Sequence, residues 1–253
     1  MKQKIKLGVL AIQGAFKEHI HHFEKIIEKE QYQDYEIEVV EISQLDQLIS
    51  CNALVIPGGE STSISITAER IGLLEPLRDF IRKGKPVWGT CAGLILLASK
   101  ITNASLGQKL IGGLDIEVQR NAFGRQLNSF AIPKVDFSSF IPGCKDFQHA
   151  VFIRAPVVTA INIFNNTTDS FIKNNDNNDK YFNNQSVVYA PSYAYNFEEK
   201  KPQVEILSRL DESHKNLIVA VRQGQILGTA FHPELSKDSR FHQWFLEEFV
   251  LKL

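Results

Sequence analysis

In Lys85-Pro86-Val87-Trp88-Gly89-Thr90-Cys91-Ala92-Gly93-Leu94-Ile95-Leu96-Leu97-Ala98, a short apolar strand runs through Gly-x-Cys-x-Gly directly into a helical pattern. A residue on so sharp a strand-to-helix turn is held in a strained backbone conformation, and small residues two before and two after it let the flanking backbones pass. The stretch therefore predicts a thiol presented at the carboxyl end of a sheet. The helix N-terminus beside it supplies partial positive charge and free N–H groups, which favour the thiolate. The competing reading makes Cys91 one more buried, inert cysteine. That reading stands for Cys51 and Cys144, which have no such context.

Upstream of this turn, strand-length apolar runs alternate with helical patterns: Ile5–Ile12, Phe16–Lys29, Tyr35–Val40, Ala53–Ile56, a helical stretch to Lys83, Val87–Gly89 and Leu94–Lys100. Such alternation predicts a parallel, doubly wound sheet with helices on both faces. Downstream, Leu114–Gln119, Gln126–Ile132, Val151–Arg154, Val187–Tyr189, Val204–Leu210, Leu217–Arg222 and Ile226–Phe231 read as strands with little helix between them, and Gln223-Gly224-Gln225 as a hairpin turn. A mixed or antiparallel extension is expected there. The closing helix, Ser239–Leu251, carries Phe241, Phe245, Leu246 and Phe249 at helical spacing, a core pattern.

With 253 residues, 43% of them hydrophobic, the chain is long enough to bury a full core as a single α/β domain spanning 1–253. Its 28 basic and 29 acidic residues leave a net charge of -1, with no basic stripe, which argues against nucleic-acid or membrane-surface partners. The N-terminal apolar run is too short for a signal-peptide core or a membrane span. Three cysteines make a disulfide framework implausible and point to a reducing, cytoplasmic setting. The segment from about 161 to 185 is rich in Asn, interleaved with Asp and Lys and short of aliphatic residues after Ile172; it is expected to be a mobile, functionally neutral surface loop.

A thiol cannot by itself protonate a leaving group, so it needs an acid/base partner. Phe231-His232-Pro233-Glu234 supplies one at the end of a strand. Proline 233 biases His232 away from helix, and in an extended stretch residues i and i+2 share a face, so Glu234 stands beside the imidazole and orients it. His-x-Glu is common by chance and carries weight only beside the cysteine. His19, His21 and His22 cluster on an early helix without a carboxylate or cysteine companion, which favours a solvated helix face over a metal site. In Ala53-Leu54-Val55-Ile56-Pro57-Gly58-Gly59-Glu60-Ser61 a buried strand ends in a glycine pair. There the backbone can turn an amide toward a ligand, and an amide near Gly59 together with that of Ala92 would form an oxyanion hole. A phosphate loop is the alternative, but its lysine is missing.

With these three elements in this order, the chain resembles the class I glutamine amidotransferases of the triad type, and within them the glutaminase subunits of pyridoxal 5′-phosphate synthase. The finer resemblance rests on Leu10-Ala11-Ile12-Gln13-Gly14-Ala15-Phe16, Pro57 to Thr62, Gly89 to Leu94, Arg120-Asn121-Ala122-Phe123-Gly124-Arg125-Gln126, Phe152-Ile153-Arg154-Ala155-Pro156 and Phe231 to Leu235. It covers nearly the whole chain; the stretch from about Val158 to Gln203 departs from it. The resemblance implies a three-layer, doubly wound, mostly parallel flavodoxin-like sheet with an antiparallel extension. It further implies Cys91 as nucleophile, His232 as acid/base and Glu234 as its orienter, with Gly59, Glu60, Ser61, Arg120, Ile153 and Arg154 around L-glutamine. Gln13 would lie on the face toward a barrel-shaped synthase that receives the ammonia. No metal or organic cofactor is implied. Three rival readings remain: a glutaminase serving another amidotransferase, a catalytically silent assembly module on the same fold, and a cysteine hydrolase that needs no partner.

Overall fold

The computed structural model describes residues 2–30, 32–120, 129–163, 169–170, 186–191 and 202–253. In chain order, β1 (Gln3–Leu10), α1 (Phe16–Glu30), β2 (Tyr35–Ile42), α2 (Leu45–Ser50), β3 (Ala53–Ile56), α3 (Ser61–Arg70), α4 (Leu74–Arg82), β4 (Val87–Thr90) and α5 (Ala92–Leu97) keep the alternation of the sequence. Then come β5 (Ala98–Thr102), β6 (Leu114–Gln119), β7 (Ser129–Val135), β8 (Phe147–Ile153), β9 (Val157–Ile161), β10 (Asp169–Ser170), β11 (Val188–Tyr189), β12 (Glu205–Arg209), β13 (Ile218–Gln223) and β14 (Ile226–Thr229). The chain closes on α6 (Arg240–Trp244), which widens into π-type turns over Phe245–Leu251.

Seven strands form the central sheet in the order β12-β13-β14-β4-β3-β1-β2. From β2 to β14 every pairing is parallel, and β13 and β12 add the antiparallel edge. The parallel part thus has the flavodoxin-like 2-1-3-4-5 order, which brings ligands to the carboxyl ends of the strands. The central strands are near-continuous apolar runs because both faces are covered. Alternate residues go to opposite layers: Leu54 and Ile56 pack with α2, α3, α4 and α5, while Ala53 and Val55 pack with α1 and the C-terminal helix. Phe241, Phe245, Leu246 and Phe249 are all buried there, as their spacing predicts. Full burial of each such side chain stabilises by roughly 1.5–3 kcal/mol.

The rest of the β structure is divided more than the sequence suggests. A separate five-stranded sheet runs β10-β9-β6-β5-β11, and β7 and β8 pair with each other as an antiparallel ribbon. The predicted helix Leu94–Lys100 stops at Leu97, because Ala98–Thr102 pairs with β6 as a strand and Ser99 Oγ donates to the Ile116 carbonyl at 3.0 Å. A buried apolar run that is neither 2- nor 3.6-periodic leaves that choice to its neighbours. The hairpin after Gln223 is present, with Gly224 at φ 59° in the first of two loop positions. Of the Asn-rich stretch, residues 164–168 and 171–185 lie outside the described residues, as do 121–128 of the Arg120–Gln126 motif and of the predicted strand beginning at Gln126. Its described part is not all loop, since Asp169 and Ser170 pair with β9 as the sheet's edge strand. No helix among the described residues is long and apolar enough to cross a membrane.

Candidate active site

Cys91 follows the last residue of β4 with φ 46° and ψ −96°, a strained conformation for a residue with a side chain. Its own N–H is tied to the Thr229 carbonyl at 2.8 Å. The two flanking glycines are steric requirements. A Cβ on Gly93 would stand 2.1 Å from the Ile56 carbonyl oxygen, and one on Gly89 would stand 2.5 Å from the Gly93 carbonyl carbon. Helix α5 can therefore start against β3 and β4 only if both lack side chains. The Cys91 Sγ lies 3.7 Å from the Ile153 carbonyl oxygen, and Ala92 takes the first position of α5, where a backbone N–H has no partner within its own helix.

His232 enters from β14. Its backbone N–H donates to the Val151 carbonyl at 2.8 Å, an isolated antiparallel bridge through which the β7–β8 ribbon fixes it. The segment is not the extended one that the sequence suggested. After His232 (φ −106°, ψ 84°) Pro233–Leu235 closes a 3-10 turn, with proline at a position that needs no N–H. The turn still sets Glu234 Oε1 2.7 Å from His232 Nδ1, with both side chains buried. Burial opposes a charge on the imidazole, but hydrogen bonds and charge from Cys91 and Glu234 outweigh it and raise His232 to about 10. Burial likewise opposes ionisation of Glu234, and His19 and His232 more than offset it, holding the carboxyl below its ordinary range. The resting site therefore favours a carboxylate and an imidazolium beside the sulfur. Gly58 leaves room for this pair: a Cβ there would stand 2.3 Å from His232 Cε1.

One cavity of about 330 Å³ is lined by Cys91 and His232 together with Gly59, Glu60, Ser61, Arg120, Ile153 and Arg154, with Ile95 added. Glu60 is the N-cap of α3, accepting from the N–H groups of Thr62 at 3.1 Å and Ser63 at 2.6 Å, which hold its carboxyl low despite partial burial. Arg120 Nη2 donates to Glu60 Oε1 at 3.2 Å, while Nη1 donates to Ser105 Oγ at 2.9 Å and Gln108 Oε1 at 2.5 Å. A carboxylate and a guanidinium thus share one wall of the cavity, matched to the ammonium and carboxylate of an amino acid. Gln13 does not line the cavity; its Oε1 accepts from the Glu60 N–H at 2.8 Å and so fixes the loop that does.

Sequence reasoning missed four residues here. Gln108 joins Arg120 to Ser61, donating to its Oγ at 3.0 Å, and no local pattern announces it. Gly58 was read only as half of a flexible pair. His19 and His242 are fully buried behind Glu234. The solvated face expected for His19, His21 and His22 holds for His21 alone: His22 is buried too, with Nδ1 2.8 Å from Ser239 Oγ. Helical spacing from Phe16 to Phe23 and Ile26 places position 19 inside the apolar stripe, and that signal was available. Among the described residues no group of three or more His, Cys, Asp or Glu could hold a metal ion.

The profile of the SNO glutamine amidotransferase family matches residues 9–179 and 161–251, and the two matches overlap in the Asn-rich stretch. A pyridoxal 5'-phosphate synthase subunit of Saccharomyces cerevisiae, SNO1, is 41% identical over 247 residues, covering 96% of this chain and 92% of its own. The probable subunit SNO3 of the same yeast is 40% identical over 255 residues, 98% and 97% of the two chains. The pyridoxal 5'-phosphate synthase subunit PdxT of Dehalococcoides mccartyi is 36% identical over 250 residues, 96% of each chain. Among solved structures, one described as a glutamine amidotransferase superposes with a TM-score of 0.64 at 33% identity, over 95% of this chain and 97% of that one.

Proposed function

The chain belongs to the SNO glutamine amidotransferase family, and from that premise we propose that it hydrolyses L-glutamine to L-glutamate and ammonia, supplying the ammonia to pyridoxal 5′-phosphate synthesis. The observation that carries this reading is the strained Cys91 at the carboxyl edge of the sheet with the Glu234-held His232 beside it. The Cys91 thiolate attacks the side-chain carboxamide carbon, and the oxyanion is taken by backbone N–H groups near Gly59 and at Ala92. The His232 imidazolium gives its proton to the departing nitrogen as the C–N bond breaks, leaving a γ-glutamyl thioester and free ammonia. The imidazole, now neutral, takes a proton from water. The hydroxide adds to the thioester, the C–S bond breaks, and glutamate leaves the regenerated thiolate. Glu60, Ser61, Arg120, Ile153 and Arg154 hold the amino-acid end of glutamine, with Arg120 or Arg154 on its α-carboxylate.

The partner is a synthase subunit, consistent with relatives named as subunits of that enzyme; the barrel shape of the partner and the place of Gln13 on the contact face belong to the same proposal. The chain works as one amidotransferase domain in the cytoplasm. Ammonia release from glutamine, measured with and without the cognate synthase, tests the reading. Wild-type protein should turn over and Cys91→Ala should lose activity by at least about 10⁴-fold while still binding the synthase. Retained turnover in a folded Cys91→Ala protein would remove the nucleophile, and the proposal with it.

A further inference from the structure

Glu234 has two carboxylate oxygens, and the reaction described above uses one. Oε1 faces His232, while Oε2 is buried with His19 Nε2 3.4 Å away and has no hydrogen-bond partner among the described residues. His19 Nε2 also lies 3.3 Å from Oγ1 of Thr90, the residue before Cys91, and His19 Nδ1 lies 2.9 Å from His242 Nε2. The line ends there, because His242 Nδ1 is buried without a partner among the described residues. It links α1, the carboxyl end of β4 and the C-terminal helix at one point behind the site.

Proton placement along this line follows from its two ends. If His19 carries its proton on Nε2, that N–H is aimed at Thr90 Oγ1 with Glu234 Oε2 beside it at 3.4 Å, and Nδ1 accepts from His242 Nε2–H. His242 Nδ1 is then a bare lone pair, the cheaper kind of orphan. In the opposite placement a lone pair on His19 Nε2 faces the carboxylate, and His242 Nδ1 becomes a buried N–H with nothing to donate to, so both ends are unfavourable. Burial keeps both rings neutral, which preserves the arrangement. T-shaped contacts of Trp88 with both rings hold them in place.

We propose that His19, fixed in its Nε2–H tautomer by His242, is a positioning residue for the glutaminase reaction: its ring N–H, held by Thr90 Oγ1 and 3.4 Å from the second oxygen of Glu234, turns its positive end toward that oxygen, so that the carboxylate keeps Oε1 on His232 and shares an anchor with the residue preceding the nucleophile. The inference rests on the Cys91–His232–Glu234 reading of the proposed function and extends it by one layer. Without His19 the carboxylate loses the N–H dipole that faces its inner oxygen. It then rotates among poses in which His232 is not held, and it takes up a proton more readily. The other ionisable groups facing Glu234 are His232 on its own segment and His22 of α1, whose Nε2 lies 3.3 Å from the Glu234 carbonyl; Lys17, Glu18, His21 and Lys25 of α1 and Lys237 border a cleft that Glu234 also reaches.

The test compares His19→Gln with His19→Asn in the glutaminase saturated with its synthase. The amide nitrogen of glutamine reaches as far as imidazole Nε2; that of asparagine matches only Nδ1 and falls short of Glu234. The two variants bury the same uncharged amide but differ by one methylene, so urea melts are run beside the kinetics and the acid limb, which packing alone does not move, separates positioning from structure. His19→Gln should keep kcat within about threefold. His19→Asn should lower it by about 10²-fold with KM for glutamine little changed, the scale of a misplaced reacting group, and should move the acid limb of the pH–rate profile to higher pH. Equal losses in the two variants, or an unshifted acid limb in a folded His19→Asn protein, would overturn the inference. Turnover by Cys91→Ala in the same assay would instead overturn the reading on which it rests.

Discussion

A buried carboxylate 2.7 Å from an imidazole is a commitment to one tautomer of that ring. Glu234 accepts, so His232 Nδ1 must carry a hydrogen, and Nε2 is left for the sulfur and the leaving nitrogen. Glu234→Gln keeps the shape and removes the charge, and its amide can donate to Nδ1 and impose the wrong tautomer. We expect kcat to fall by on the order of 10³–10⁴-fold, while KM changes little because Glu60, Ser61 and Arg120 are untouched. Steady-state kinetics decide it, and a loss under tenfold would deny Glu234 its orienting role. The same carboxyl carries a pH dependence. Its folded-state affinity for protons is lowered, so its share of stability is present above the ordinary glutamate range and is lost as pH falls through the folded value. These side chains were legible in the sequence because each sits in a local motif. His19 and Gln108 act across 215 and 12 residues of chain, on Glu234 and Arg120 respectively; the first pair lies beyond any window of sequence, and no local pattern joins the second.

At the level of elements, the strand β4, the turn and helix α5 stand or fall on contacts that a single methyl group would break. Gly93→Ala drives a Cβ to 2.1 Å from the Ile56 carbonyl, and backbone on both sides leaves little room to yield. We expect a loss of more than about 3 kcal/mol, the upper range for overpacking, or no folded protein. Gly72→Ala is the control: it meets nothing within 4 Å but sits at φ 75°, so only about 1 kcal/mol of left-handed strain should appear. Urea melts of the two variants measure the difference, and equal costs would mean that the turn can relax. The elbow was readable because two glycines at fixed offsets have a steric reason. The parallel strands were readable because burial on both faces leaves continuous apolar runs. The split of the later strands into a second sheet and a ribbon was not, since β5, β6 and β9 present the same mostly buried pattern whichever partner they take. The end of α5 was missed for the same reason, a buried run with no period of its own.

Across the whole molecule, α1 and the C-terminal helix meet through neutral histidines, and this makes the fold acid-sensitive. Unfolded histidine takes a proton near pH 6.5, whereas burial lowers His19 to about 4 and depresses His22 and His242 as well. Between those values the unfolded chain binds more protons, so stability falls as pH falls, by on the order of 3 kcal/mol from His19 alone. Urea midpoints should drop steeply from about pH 6 to pH 5; a flat profile would mean the rings are charged in the fold. Latency is the property that belongs most fully to the molecule with its partner. Ammonia freed into water near neutral pH is protonated and lost to the synthase, so a glutaminase that ran alone would waste substrate. The oxyanion donor proposed near Gly59 would lie in a loop held from the far side: the Gly58 carbonyl accepts from Ala15 N–H at 3.2 Å, and the Glu60 N–H donates to Gln13. Whatever docks on the Gln13–Ala15 segment therefore acts on the orientation of the Gly58–Gly59 peptide, while Cys91, His232 and Glu234 are anchored elsewhere. One misplaced donor costs about 10²–10³ in rate, enough to silence the free chain with the other groups intact. Glutamine turnover by the free chain should accordingly lie about 10²-fold or more below that of the synthase-saturated chain, and Gln13→Ala should narrow the gap by lowering the activated rate. Equal rates for free and docked protein would sink the idea and favour a hydrolase that needs no partner.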